Sequence, residues 1–217
     1  MAISDWEFVG SGSEQLQTIS PVSGTSHLEI TVSGGFNIQR SAQVTAASGI
    51  TRGIARGKIR TLIRYDNGAT STPNYAAGIY CLATNSGGFA ASGTAYSLTV
   101  NANTGDLRLH DDNISASGFS QMNVLASASI SFTAGTTMAI ELEWDSLRQV
   151  DIGGTHFIAR SGTQTDYSDL TERFQHIEPN GAVLTSGFEG LVVFHDASST
   201  PNNTIWAFDD TEIFTVA

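Results

Sequence analysis

At 217 residues, 40% of them hydrophobic, the chain is long and apolar enough to bury a sizeable core, which excludes disorder through low hydrophobicity. A formal net charge of −11 disfavours non-specific attraction to nucleic acid or to an anionic membrane. The single cysteine, Cys81, excludes an internal disulfide, and its place in the apolar run GIYCL makes it a small buried hydrophobe.

No apolar run approaches the 18 or so residues of a membrane span. The opening MAISDWEF has neither a basic n-region nor an apolar h-region, so no secretory signal is expected. An extracellular or virion location would then be reached by another route. With 22 glycines and much Ser, Thr, Ala and Asn, the composition suits many short strands joined by turns.

Taken in order, Ile3 to Val9 places Trp6 and Phe8 on one parity, a first strand broken by Gly10-Ser-Gly-Ser13. Leu28, Ile30 and Val32 alternate with Glu29 and Thr31, the pattern of a half-buried strand. Phe36 to Arg40 continues in extended style. The segment ITRGIARGKIRTLIRYD follows. Six of the ten basic residues (Arg40, Arg52, Arg56, Lys58, Arg60 and Arg64) fall within an interval free of Asp and Glu. Ile59, Thr61, Ile63 and Tyr65 share one face there, Lys58, Arg60 and Arg64 the other, and Gly57 is read as a bulge. Asp66-Asn67-Gly68 signals a turn.

Gly78 to Ala83 reads as a central strand. Tyr96, Leu98 and Val100 form another, paired through a turn near Thr104-Gly105 with Leu107 and Leu109. Val124 to Phe132 is a further candidate. Thr137 to Arg160 then carries the strongest pattern: Met138, Ile140, Leu142 and Trp144 on one face, Glu141, Glu143 and Asp145 on the other. Leu147 to Ile152 is read as a second run, turned by Gly153-Gly154 into His156 to Arg160 as a tight hairpin. Asp169-Leu-Thr-Glu172, with Leu170, Phe174 and Ile177 at helical spacing, predicts one short helix near 169–177. Asn180-Gly181 turns the chain, and Leu191 to Phe194 and Ile205 to Val216 close it as strands. About twelve strand candidates at short, regular spacing predict an all-β antiparallel sandwich. Without linker, repeat or heptad pattern, residues 1–217 read as one domain. Trp6 and Phe8 at one end, Trp206 and Phe208 at the other, predict terminal strands in the same sandwich and neighbouring each other.

The order DWEF, Gly78-Ile-Tyr80, Tyr96-Ser-Leu-Thr-Val100, an I-x-L-x-W strand, Gly187-Phe-Glu-Gly190-Leu and Phe208-Asp-Asp-Thr-Glu-Ile-Phe214 resembles the concanavalin A-like lectin/glucanase superfamily, including laminin G-like domains. The resemblance implies a jelly-roll sandwich and three uses. One is glycoside hydrolysis on an E-x-D-x-x-E strand, for which Glu141, Glu143 and Asp145 are the residues in the matching region. Carboxylates about 5 Å apart suit a retaining mechanism, but type and spacing depart from that motif, and a solvated strand face is the favoured reading. The second is calcium binding, for which Asp106, Asp111, Asp112, Asn113, Asp209 and Asp210 are the oxygen-bearing candidates. Calcium takes six to eight oxygens, and no local D-x-D-x-D loop supplies them in series. His27, His110, His156, His176 and His195 show no pair at metal spacing, so neither zinc nor another cofactor is expected.

The third use is attachment. A compact module of this composition resembles accessory proteins of bacteriophage virions. The favoured reading is therefore a non-enzymatic binding or assembly module, a virion surface or capsid-decoration protein with glycan recognition. Its partners would be a capsid or tail surface, a glycan, or a second copy of the chain. Arg52, Arg56, Lys58, Arg60, Arg64 and Trp144 are the candidate binding residues, with an ordinary solvated or internally paired strand face as the competing account of the arginines.

Overall fold

The computed structural model describes residues 6–10, 12–18, 22–32, 38–44, 54–66, 75–84, 93–115, 118–147, 153–179, 187–195 and 204–216. Among these residues, alternating apolar and polar side chains give fourteen strands: β1 (Trp6–Gly10), β2 (Ser13–Gln17), β3 (His27–Val32), β4 (Ile38–Val44), β5 (Arg56–Tyr65), β6 (Tyr75–Ala83), β7 (Gly93–Asn101), β8 (Asp106–Ser115), β9 (Gly118–Ser129), β10 (Met138–Asp145), β11 (Gly154–Gly162), β12 (Thr171–Pro179), β13 (Phe188–His195) and β14 (Thr204–Thr215). They form two seven-stranded antiparallel sheets, ordered β1-β4-β13-β6-β7-β8-β9 and β12-β11-β10-β5-β14-β3-β2. We call them sheets A and B.

The inner faces meet in one core. Ile79, Leu98, Val100, Leu109, Leu191 and Val193 come from sheet A, and Ile30, Ile59, Ile63, Ile140, Leu142, Trp144 and Trp206 from sheet B. Tyr96 of β7 meets Phe157 of β11 across the sandwich, ring centroids 4.7 Å apart. The all-β sandwich follows from period-two patterning, and β6 lies at the centre of its sheet. Among the described residues, no helix is long and apolar enough to cross a membrane.

Four expectations need correction. The segment expected as a helix is edge strand β12. Leu170, Phe174 and Ile177 do not form one buried face: Leu170 packs outside sheet B, Phe174 against the main core, and Ile177 is 46% exposed. Asp169 does not cap a helix. Its carboxylate accepts the amides of Thr163 at 2.7 Å and Gln164 at 3.0 Å, closing the preceding turn.

The terminal strands share the core but are not neighbours. β1 pairs with β4 at the edge of sheet A, whereas β14 runs between β5 and β3 in sheet B. Gly57 sits in regular register opposite Trp144. It is glycine because a Cβ there would lie 2.8 Å from the Trp144 ring and 2.9 Å from the Phe214 carbonyl oxygen. The bulge lies instead on β14, between Asp209 and Glu212. The hairpin of β10 and β11 forms, but residues 146–153 join it rather than a two-residue turn. Leu147 is exposed, and residues 148–152 lie outside the described set, as do 67–68 and 180–181 of the expected turns. Gly154 is required where a Cβ would strike the Glu178 carbonyl oxygen of β12.

On the outer face of sheet A, buried His110 shares a 2.9 Å hydrogen bond with the Thr99 hydroxyl. Burial first, then the nearby Arg108 charge, lowers its pKa to about 3. The imidazole stays neutral in the fold but protonates near pH 6.5 when unfolded, so its contribution is whole above that pH and lost as pH falls toward 3. From pH ~7 to ~4.5, wild type should lose about 2–3 kcal/mol more stability than His110→Gln, read from urea melts. Parallel loss in both proteins would contradict it.

Candidate functional site

The residues on the outer face of β10 are set by parity: with Leu142 and Trp144 in the core, Glu141, Glu143 and Asp145 point away from it. The neighbouring strand β5 is antiparallel, and its register places Arg60 opposite Glu141, Lys58 opposite Glu143 and Arg56 opposite Asp145. The acidic and basic faces noted separately in the sequence are therefore one surface.

The side chains close a network across four strands. Arg160 of β11 donates from Nη1 to Glu141 Oε1 at 2.6 Å and to Glu143 Oε2 at 2.8 Å. Lys58 Nζ lies 3.4 Å from Glu141 Oε2, and Arg56 Nε 3.1 Å from Asp145 Oδ2. Arg60 donates from Nε to Glu212 Oε2 of β14 at 2.7 Å. Its guanidinium also covers the Tyr167 ring at 4.3 Å and stands 5.1 Å from the Phe214 ring. Lys58 Nζ is 5.3 Å from that same ring. Burial works against the Arg160 charge, but the bonds to Glu143 and Glu141 outweigh it and raise its pKa.

Beside the network, the chain folds back over sheet B. Val22, Tyr167 and Leu170 cover Leu62, Ala139 and Ala207 in a small second core. Burial, then the Asp210 and Glu212 charges, pushes the Tyr167 hydroxyl up. It remains a donor, to the Asp210 carbonyl oxygen at 2.5 Å.

The candidate residues thus have definite positions. Glu141 is held by two cations with its side chain only 4% exposed. Arg56, Lys58, Arg60 and Arg64 each have an acid within 4 Å, Arg64 pairing with Asp66. Internal pairing, the competing account of these arginines, therefore describes all four, and Arg52 lies outside the described residues. Trp144 is no surface residue: it is fully buried, its indole N–H donating 3.0 Å to the Ile54 carbonyl oxygen. Trp206 is buried likewise.

Among the described residues, the calcium candidates are divided between the two sheets. Asp111, half-buried, sits in sheet A, where burial and then the Glu178 charge raise its pKa. The Asp112 side chain lies outside the described set. Asp209 and Asp210 belong to sheet B and both accept the Ser23 hydroxyl, at 3.0 and 2.7 Å. Sequence reasoning missed Arg160, Tyr167 and Glu212. Arg160 was not legible, because the expected two-residue turn would put it across from Leu147, whereas the longer connection sets it across from Glu141. Tyr167 comes in on a connecting segment and carries no periodic signal.

No protein-family model matches the chain, and no curated protein matches it. Solved structures do. The exoplasmic/lumenal domain of VIP36, in a form bound to Ca2+ and Man3GlcNAc, is 8% identical over 100% of this chain and 86% of its own, with a TM-score of 0.58. The potassium-bound carbohydrate recognition domain of Emp46p is 12% identical, covering 99% and 91%, with a TM-score of 0.59. An endo-β-1,4-glucuronan lyase from the fungus Trichoderma reesei is 13% identical, covering 99% and 92%, with a TM-score of 0.61. At such identities the likeness is one of fold, an antiparallel jelly-roll β-sandwich.

Proposed function

We propose that the chain is a non-catalytic glycan-binding module and that the outer face of sheet B, around Arg56, Lys58, Arg60, Glu143, Arg160, Glu212 and Phe214, is its binding surface. The observation that carries this reading is the fixed ionic lattice with an aromatic ring at its edge. Carboxylates and guanidinium groups immobilised by one another present hydrogen-bonding atoms to sugar hydroxyls with little further ordering. Glu212 and Arg56 keep 43% and 41% of their side-chain surface in solvent, and Phe214 is 37% exposed. A sugar's C–H face packs on such a ring while its hydroxyls meet the charged groups. The recognition of glycans by two neighbours of the same fold supports the reading.

The same lattice argues against hydrolysis. Glu141 is bonded by Arg160, faced by Lys58 and almost wholly buried, so it cannot reach an anomeric carbon. Glu143 is tied to that same guanidinium. Carriage on a capsid or tail surface belongs to the proposal only as a setting. Its support is the composition, because the cations of β5 are already paired within the chain.

A glycan array spanning oligomannose and uronic acid polymers, followed by calorimetry, tests the reading. Wild type should bind at least one class, and Phe214→Ala and Arg60→Ala should each weaken it about tenfold, the loss of a single stacking or charged contact. No binding to any glycan, or unchanged binding in both variants, would overturn it. Product release that Glu141→Gln abolishes would overturn its non-catalytic part.

A further inference from the structure

His27 and Glu29 occupy alternate positions of β3, on the face turned away from Leu28 and Ile30 of the core. Glu29 pairs in register with Ala207 of β14, which in turn lies opposite Arg64 of β5. A small residue between them lets the end of β5 reach over. Asp66 follows Tyr65, the last residue of β5, and is fastened there by its amide, which donates to the Ile205 carbonyl oxygen at 3.0 Å. In consequence a ring nitrogen of His27 and one carboxylate oxygen each of Glu29 and Asp66 all lie within 4.8 Å of one another.

A second observation makes this more than a charged corner. His27 is 2% exposed, and among the described residues neither ring nitrogen has a hydrogen-bond partner. A buried imidazole without partners costs free energy that its neighbours ordinarily recover. Burial, and then the Arg64 charge, lowers its pKa.

We infer that His27, Glu29 and Asp66 form a binding site for a divalent transition metal of the zinc class. One nitrogen and two carboxylate oxygens are a three-ligand set with room for a fourth position, and imidazole selects zinc, cobalt or nickel over calcium or magnesium. Ligand atoms about 3.3 Å apart would satisfy metal bonds of about 2.0–2.2 Å, a closure that rotamer adjustment of Glu29 and Asp66 can supply. Arg64, bonded to both Asp66 oxygens at 2.5 and 2.9 Å, shares that carboxylate. Gln15, which donates to Glu29 Oε1, leaves the other Glu29 oxygen for the ion. The site would staple β3 to the end of β5 across β14.

The whole chain, freed of metal with a chelator, is titrated with Zn2+, Co2+ and Ca2+ while melting temperature and the visible absorption of Co2+ are followed. Zn2+ at about a hundredfold its dissociation constant should raise the melting temperature by roughly 5–10 °C. Co2+ should develop the visible bands of a four- or five-coordinate site. His27→Gln should abolish both signals. Asp66→Asn, which also loosens the Arg64 pair, should weaken Zn2+ binding at least tenfold, its shift being read against its own metal-free melting temperature. No shift at about 1 mM Zn2+, an equal shift in His27→Gln, or stabilisation by Ca2+ but not Zn2+ would each overturn the assignment.

Discussion

Replacing Arg160 by leucine is expected to lower the melting temperature by roughly 5–15 °C, corresponding to a loss of about 2–4 kcal/mol. Two carboxylates depend on that one guanidinium, at 2.6 and 2.8 Å, and the Glu141 side chain is only 4% exposed. Without Arg160, Glu141 keeps only Lys58 at 3.4 Å, and an incompletely compensated charge stays in a poorly solvated place. The figure lies below that of a fully buried pair because the Arg160 side chain is 23% exposed and solvent screens part of the interaction. Glu141→Gln removes the charge that needs compensation, so the double variant should recover at least half of the loss. Urea melts of the four proteins in a double-mutant cycle measure the coupling. A coupling energy near zero would show the network to be ornamental.

Trp144→Ala is expected to cost about 4–5 kcal/mol, a drop of roughly 10–20 °C. The indole is fully buried against Gly57 and Ile54, so its loss leaves a cavity that the flanking strands cannot close. It also leaves the Ile54 carbonyl oxygen without its 3.0 Å donor, a further ~1 kcal/mol. Trp144→Phe keeps most of the ring volume, forfeits that bond and should cost about 1–2 kcal/mol. Because Trp144 faces the core, Trp144→Phe should bind glycan with the affinity of wild type. A tenfold loss of affinity at near wild-type stability would put the ring on the binding surface after all.

Much of the architecture was legible in the chain because strand patterning is local. Ile140, Leu142 and Trp144 declare an inner face by their spacing alone, and so do Tyr96, Leu98 and Val100. A strand's two faces are fixed by parity whatever it pairs with. The same locality explains the failure at β12. Leu170, Phe174 and Ile177 satisfy a helical spacing, but the competition is settled by β11, whose edge offers a ladder of backbone partners from Gly154 to Ser161. Spacing within one segment carries no information about such an edge.

What the sequence determined by itself is therefore most of the strands, their inward faces and the segregation of acids on β10 from cations on β5. What only the tertiary structure decided is pairing. It set β10 beside β5 in a register that matches Glu143 with Lys58 and Asp145 with Arg56. It put the terminal strands on opposite sheets and brought Asp66 to His27 and Glu29 from more than thirty positions away. The physical reason is that side-chain direction depends on the backbone of one strand, whereas register and adjacency minimise the free energy of the whole sandwich. Charges that read as two separate surfaces in the chain cancel one another once the sheet closes.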